Sequence, residues 1–468
     1  MLPSAAVVAL RACVPPGSLL TDPADCLAYG YDNSRRLALP QAVAFATTHE
    51  QVVALVRVCH QYRIPLTARG RGTNTTGASV PLAGGLVLSL ERMDRILEVA
   101  PGDRLIRCEA GALNGTVQAE AARHGLFWAP DPTSAAFSTV GGNLACGAGG
   151  PRAVKYGTAR DAVLGLKAVS GDGRTLVVGA STTKSVVGYD LTRLLIGSEG
   201  TLAIITEATL RLLPKPSRTR LLRAAYADVR SAAEAVARVM GQPAIPSALE
   251  FMDGEAVRLA ENYRATATPD GVHGAVPEGT GALLLIEADG EDDTLPAAVA
   301  AIEAAARGAG LIELRAATDA AEAETLWACR KALSPSLRQL APKKVNEDVA
   351  VPVTRLPALI DGVQALSRQH ALKIVCFGHA GNGNIHVNLL ANPDDPEQLR
   401  RIEACLHAVF RLVLSLDGTL SGEHGVGIDK RDYVGWEVAA DTLALMRAIK
   451  AQFDPHGILN PGKALPAP

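Results

Sequence analysis

Between residues 41 and 68 the spacing of apolar positions changes twice. AVAFATT reads as a strand, EQVVALVRVCHQY carries its apolar residues at helical spacing, and IPLTA reads as a second strand, so the stretch predicts a β-α-β unit. From 69 to 210 the chain is rich in glycine and short apolar runs (GGLVLSL, LIRCEAG, AVLGLKAVS, RTLVVG), separated by turns of Gly, Pro, Asn and Asp. The two prolines of LPKPS (213–217) mark a domain boundary. Beyond it, SAAEAVARVMG (231–241) and TLPAAVAAIEAAARGAG (294–310) predict helices, and GALLLIEADG (281–290) predicts a buried strand. This combination suggests an α+β layer with helices on one face of a sheet. KIVCFGH and NIHVNLL, on either side of a Gly/Asn turn, predict a hairpin.

Length and composition narrow the class. A chain of 468 residues exceeds what one core normally serves, which points to about two or three domains. Its 46 basic and 48 acidic side chains nearly cancel, so no global field draws it to nucleic acid or to an anionic membrane. The eight cysteines are scattered without a CxxC pair, which argues against a zinc knuckle or an iron–sulfur cluster and suits buried thiols in a reducing compartment. SAAVVALRACV at the N-terminus is apolar but short and has no basic region before it. No run approaches the roughly 18 apolar residues of a membrane span. A cytoplasmic protein is expected, reaching a membrane only through a partner.

Five regions carry candidate chemistry. In TARGRGTNTTGAS (67–79), Gly70 and Gly72 allow close backbone approach, while Arg69, Arg71, Thr73 and Asn74 offer donors suited to a pyrophosphate. The loop does not follow the Rossmann pattern, since GGLVLSL after it reads as a strand and not a long helix. PDPTSAAFSTVGGNLACGAGGPRAVKYGTARD (130–161) presents many glycine amides, with Ser138, Thr139 and Asn143 as side-chain donors; a structural loop of this length is uncommon in a compact domain. LLIGSEGTLAIITEATLRLLP (194–214) joins a turn at GSEG to a strand. In the predicted hairpin, His379 and His386 would lie side by side, an arrangement suited to Zn2+, Mn2+ or Fe2+. SGEHGVGIDKRDYV (421–434) supplies Glu423, able to complete a two-histidine, one-carboxylate site, and His424, able to act as a general base.

The order RGRGTNTTG, then PDPTS…STVGGN…GGPRAVKYGTARD, then IGSEGTLAIITEATL resembles the FAD-binding domain of the FAD-linked oxidases, the vanillyl-alcohol oxidase superfamily. Within it the chain resembles the D-2-hydroxyacid dehydrogenases, which include D-lactate and D-2-hydroxyglutarate dehydrogenases and the glycolate oxidase catalytic subunit. The resemblance spans about residues 35–465 and implies a two-part FAD-binding domain plus a cap with an antiparallel sheet and flanking helices. The expected division is 1–215 for FAD, 216–425 for substrate and metal, and 426–468 returning to the FAD domain.

It also implies site residues. Arg69, Gly70, Arg71, Gly72, Thr73, Asn74, Pro132, Thr133, Ser138, Thr139, Gly141, Gly142, Asn143, Gly157, Glu199, Gly200, Ile204 and Asn460 would contact FAD. Arg330, Ser334, Lys344 and Asn388 would contact substrate, with Lys343 the alternative lysine; Arg330 can grip a carboxylate bidentately. His379, His386 and Glu423 would hold a divalent metal, Zn2+ first, with His424 as base. Covalently linked relatives carry histidine where this chain has Thr73, or cysteine where it has Phe137, so the flavin is expected to be held without a bond.

The implied reaction oxidises a small D-2-hydroxy acid to the 2-keto acid by hydride transfer to flavin N5, with D-lactate the first candidate and glycolate or D-2-hydroxyglutarate the alternatives. A quinone, a cytochrome or an electron-transfer flavoprotein would reoxidise the flavin, and a homodimer is one open arrangement. Three rival readings remain open: an O2-using oxidase or a sugar or alcohol dehydrogenase of the same fold, a metal-dependent hydrolase, and a non-catalytic flavin subunit. The hydrolase leaves the three glycine-rich motifs without a role; the non-catalytic subunit leaves the metal residues without one.

Overall fold

The computed structural model describes residues 2–267, 276–340, 343–392 and 394–467. The chain divides into two compact units, one formed by Met1–Gly150, Gly157–Lys215 and Glu423–Pro468, the other by Pro151–Tyr156 and Pro216–Gly422.

The first unit contains the β-α-β element expected near its start. Strand Ala42–Phe45 leads into helix His49–Tyr62, which buries Val52, Leu55, Val56 and Cys59 along one stripe. Thr48 caps the helix by accepting the Gln51 N–H, and Arg63, with φ of 53°, ends it in a left-handed turn. Strand Leu66–Arg69 then runs parallel to Leu86–Ser89, completing a four-stranded sheet in the order Leu19–Leu20, Ala42–Phe45, Leu86–Ser89, Leu66–Arg69. The glycine loop starts at Arg69, the carboxyl end of a parallel strand, where open α/β sheets usually bind ligands.

A second, antiparallel sheet has the order Ile96–Ala100, Leu105–Glu109, Ala203–Arg211, Val163–Ser170, Thr175–Gly179. The two sheets share one apolar core, with Leu66, Leu86 and Leu88 from the first and Ile106, Ala168 and Ile204 from the second. Burying a Leu or Ile there contributes about 1.5–3 kcal/mol. After helix Ala440–Phe453 the chain joins the first sheet: Leu66 donates to the Ile458 carbonyl at 2.8 Å, and Asn460 donates to the Leu66 carbonyl at 2.7 Å.

The second unit is built on a seven-stranded sheet in the order Leu311–Ala316, Arg218–Tyr226, Ala282–Gly290, Ala248–Asp253, Lys373–Gly378, Asn384–Ala391, Lys343–Ala350, antiparallel throughout. Helices Gly254–Ala267 and Ala320–Leu340 cover the face bearing Met252, Leu283, Leu285 and Phe377. Helices Val229–Gly241 and Leu295–Ala306 pack against the same central strands, and the Tyr226 hydroxyl donates to the Ala306 carbonyl at 2.6 Å. Tyr226 alternates with Leu221 and Ala225 so as to lie on the opposite face, so helices cover both faces and not one as the periodicity suggested. The near-continuous burial of Ala282–Gly290 fits a strand with no wet side. Among the described residues no helix is long and apolar enough to cross a membrane.

Candidate functional site

Five loops distant in sequence are knit together in the first unit. The loop after strand Leu66–Arg69 is held by Asn74, whose side-chain oxygen accepts the N–H groups of Thr76 at 3.0 Å and Ala78 at 2.9 Å. Gly72, with φ of 64°, lies against the Arg69 guanidinium, where a Cβ would collide. Among the described residues the backbone amides of Arg71, Gly72, Thr73 and Asn74 have no hydrogen-bond acceptor. Four successive donors left in this way suit an anionic group such as a pyrophosphate.

In the second motif, Thr139 caps helix Val140–Cys146 by accepting the Gly142 N–H at 3.2 Å, and Gly141 donates to the Ala110 carbonyl at 2.7 Å. Asn143 reaches Asn114 at 3.3 Å. Thr139, Gly141, Gly142 and Asn143 therefore build the turn. Ser138 is a different case: its hydroxyl is buried with no hydrogen-bond partner among the described residues, as expected of a group that meets a ligand. Pro132 is half-buried, Thr133 exposed, and Phe137 71% exposed, while Gly157 and Gly200 adopt φ of 81° and 69°. Ile204 lies in the apolar core.

Glu199 joins the third motif to the fifth. Its carboxylate accepts from Val426 at 2.5 Å and from Gly427, and its backbone carbonyl accepts from the Asn460 side chain at 2.7 Å. Burial raises its carboxyl above the ordinary range, outweighing the two amides and the nearby Lys463 and Lys430. Lys463 donates to Asn460 at 2.8 Å and is itself buried. The residues beside Glu423 and His424 are tied to the glycine loop: Thr76 donates through its hydroxyl to the His424 carbonyl at 3.3 Å and accepts the Ile428 N–H at 2.8 Å. Glu423 accepts the Gly150 N–H at 2.6 Å. Backbone amides and a buried hydroxyl without partners among the described residues, together with a glycine cradle, fit a dinucleotide, and the residues that would hold FAD are the loop at 69–74 and Ser138.

The second unit gathers most of the predicted substrate and metal residues on one face of its sheet. Strands Lys373–Gly378 and Asn384–Ala391 form the expected hairpin about a turn at Ala380–Asn382, and Gly383, with φ of 71°, meets the Val351 carbonyl where a side chain could not fit. His379 and His386 are buried with ring centroids 5.3 Å apart. A buried carboxylate faces each. Glu250 Oε1 lies 2.5 Å from His379 Nδ1, and Asp348 Oδ1 lies 3.3 Å from His386 Nδ1. Asp348 is oriented by the Asn384 amide at 2.6 Å.

Arg330, on helix Ala320–Leu340, donates through Nε to Glu250 Oε2 at 2.7 Å and lies over the Phe377 ring at 4.7 Å. Its terminal nitrogens have no hydrogen-bond partner among the described residues. Burial alone would raise the Glu250 carboxyl, but His379 and Arg330 together hold it below the ordinary range. Asn388 donates to the Val375 and His386 carbonyls at 3.1 and 3.0 Å, which fixes its amide orientation and leaves Oδ1 buried with no hydrogen-bond partner among the described residues. Directly across the strands stands Asn346, whose Oδ1 is also buried with no hydrogen-bond partner among the described residues. Lys344 is half-buried on the same face of strand Lys343–Ala350. The side chains of Ser334 and Lys343 lie outside the described residues.

Sequence reasoning missed Glu250, Asp348 and Asn346. The signal was present as Glu250 inside the otherwise apolar run ALEFM, and as Asn346 and Asp348 two positions apart in KKVNEDVA, where alternation puts them on one face.

Residues 215–464 match the C-terminal domain of FAD linked oxidases, and residues 40–179 match an FAD binding domain. The chain is 34% identical to glycolate oxidase subunit GlcD of Bacillus subtilis (strain 168), over 93% of its own length and 92% of that protein's. It is 35% identical to D-2-hydroxyglutarate dehydrogenase of Xanthomonas citri pv. viticola, over 98% and 96% of the two chains, and 35% identical to D-lactate dehydrogenase of Archaeoglobus fulgidus, over 94% and 95%. Its fold matches the crystal structure of p-cresol methylhydroxylase with substrate bound, at a TM-score of 0.81 and 17% identity, covering 99% of this chain and 98% of that one. With one domain match covering more than half of its length and full-length relatives above 30% identity, the chain belongs to the FAD-linked oxidases, flavoprotein oxidoreductases of the vanillyl-alcohol oxidase fold.

Proposed function

We propose that this flavoprotein oxidises a D-2-hydroxy acid to the 2-keto acid, D-lactate first, with glycolate and D-2-hydroxyglutarate as the alternatives that its relatives' names support. The observation that carries the reading is the polar cluster of the second unit: two buried imidazoles, each faced by a buried carboxylate, beside an arginine with open terminal nitrogens. Carboxylates behind imidazoles are the usual outer partners of metal-bound histidines.

In this reading Arg330 grips the substrate carboxylate, and Ser334, Lys344 and Asn388 complete the pocket. His379, His386 and Glu423 hold a divalent ion, Zn2+ first and Mn2+ or Fe2+ otherwise, which when bound would lower the pKa of the substrate hydroxyl. His424 accepts the hydroxyl proton. Bound FAD supplies the two-electron acceptor for the C2 hydrogen, which leaves as hydride. A quinone, a cytochrome or an electron-transfer flavoprotein then takes the electrons.

Anaerobic mixing of the purified yellow protein with D-lactate, L-lactate, glycolate, D-2-hydroxyglutarate and D-malate tests this. Bleaching of the flavin by one D-2-hydroxy acid, with formation of its 2-keto acid, is expected. If none bleaches it while sugars or alcohols do, the substrate class is wrong.

A further inference from the structure

The two oxygens of the Glu250 carboxylate serve different partners, His379 through Oε1 and Arg330 through Oε2. We propose that Glu250 is a positioning residue that couples metal affinity to binding of the substrate carboxylate, because a single carboxylate orients both the His379 ring and the Arg330 fork. The proposal rests on the roles assigned above to His379 and Arg330.

Placement comes first. Glu250 lies on Ala248–Asp253, the fourth of seven strands, and is 1% exposed. A carboxylate in such a position carries a large desolvation cost that only close pairing offsets, and an apolar residue of similar size would often serve stability as well or better. Stability alone therefore gives a weak reason for a carboxylate here. Its neighbours supply a stronger one.

A carboxylate at Nδ1 favours the tautomer with its proton on that nitrogen, which turns the Nε2 lone pair outward as a ligand and raises its basicity. The second oxygen engages Arg330 at Nε, at the inner end of the fork, so that the terminal nitrogens stay available for an anion. Phe377 stacks against the same guanidinium and restricts its plane. His386 has its own carboxylate in Asp348, so Glu250 is the group shared between an imidazole and a guanidinium. When one partner withdraws, the carboxylate follows the other. A change at Arg330 thus reaches His379 through about two hydrogen bonds, without touching any proposed metal ligand.

The test uses full-length, FAD-loaded protein, stripped with a chelator and titrated with Zn2+ against a chromophoric competitor, alongside kcat and KM for D-lactate. Glu250→Gln is expected to weaken Zn2+ binding by roughly 10–100-fold and to raise KM with FAD content unchanged. Arg330→Lys is the deciding variant, because a purely structural Glu250 would leave its Zn2+ affinity alone. Coupling predicts a loss of at least about fivefold there. Wild-type Zn2+ affinity in Arg330→Lys overturns the coupling even if Glu250→Gln does not fold. A wild-type protein that binds no Zn2+ overturns the metal reading itself and the coupling with it, which distinguishes the two failures.

Discussion

Gly427 donates its backbone N–H to both carboxylate oxygens of Glu199, at 3.0 and 2.8 Å, across more than two hundred residues of sequence. Because Val426 donates to the same carboxylate, Glu199 holds the segment that carries Glu423 and His424. Removing the carboxylate leaves two amides without an acceptor, each costing about 1–3 kcal/mol where buried. Glu199→Ala is therefore expected to lower the thermal midpoint of the FAD-loaded protein and to reduce kcat more than it alters substrate KM. Differential scanning calorimetry with steady-state kinetics checks this, and an unchanged midpoint with unchanged kcat would remove Glu199 from this role.

Lys463 gives a pH signature. Burial pushes its ammonium down to about 8, against the opposing pull of Glu199 and Asp32, whereas an ordinary lysine titrates near 10.5. The folded chain therefore binds this proton less tightly than the unfolded chain does. The stability that Lys463 contributes is fully present above 10.5 and is lost as pH falls through about 8. Relative to Lys463→Met, which has no such proton, wild type is expected to gain stability as pH rises across that window. Denaturant titrations at several pH values measure the difference; a flat difference would mean the group titrates normally.

What the sequence made legible was local pattern and motif order. The β-α-β unit at 41–68 was readable because Val52, Leu55, Val56 and Cys59 repeat at helical spacing between two apolar runs. The hairpin bringing His379 beside His386 followed from two strand-like runs and a Gly/Asn turn. What stayed hidden depends on pairing between distant segments. Glu250 acquires meaning only once its strand is the fourth of seven and Arg330 arrives on a helix eighty residues later. Glu199 reads as a cofactor contact in its own motif, but its carboxylate is engaged by Val426 and Gly427, which no local pattern could indicate. The helices at 231–241 and 294–310 were legible, but not that they cover one face of the cap sheet while Gly254–Ala267 and Ala320–Leu340 cover the other, because a nearly all-apolar strand such as Ala282–Gly290 has no alternation to count.

FAD is expected to leave the protein intact on denaturation. By the resemblance to the FAD-linked oxidases, Thr73 and Phe137 would stand at the two positions where covalently linked members carry histidine or cysteine, and neither side chain can form that bond. Acid precipitation followed by absorbance of the supernatant checks this. Yellow colour remaining with the washed polypeptide would show a covalent link formed elsewhere.

Arg330→Lys is expected to raise KM for the 2-hydroxy acid, or lower kcat/KM, by at least about tenfold, equivalent to about 1.4 kcal/mol of lost transition-state binding. A lysine can supply charge but not a planar fork, and it cannot donate to Glu250 and to a substrate carboxylate with the same geometry. FAD content should not change, since Arg330 belongs to the second unit and the glycine loop and Ser138 to the first. Kinetics equal to wild type would exclude Arg330 from substrate binding.

The roles proposed for the histidines should separate under mutation. His379 and His386 are buried, with Glu250 hydrogen-bonded to the His379 Nδ1 and Asp348 3.3 Å from the His386 Nδ1, and their function in this scheme is to present the opposite nitrogen to a metal. His379→Ala or His386→Ala is therefore expected to lose bound metal and activity together while keeping FAD. His424 belongs to the first unit, where its backbone carbonyl accepts the Thr76 hydroxyl. As a general base it is not needed to retain the ion. His424→Ala should keep both metal and FAD yet lower kcat by roughly 10²–10⁴, the usual effect of removing a positioned base. Metal analysis, flavin content and anaerobic reduction rates on the three variants give a pattern that no single structural defect would reproduce. If fully active wild-type protein contains no stoichiometric metal and is indifferent to strong chelators, the ion has no part in the reaction. Proton removal by His424 and carboxylate binding by Arg330 would then have to suffice for hydride transfer to the flavin, and the loss of activity in His379→Ala would need another cause, the release of Glu250 from its shared position being the nearest at hand.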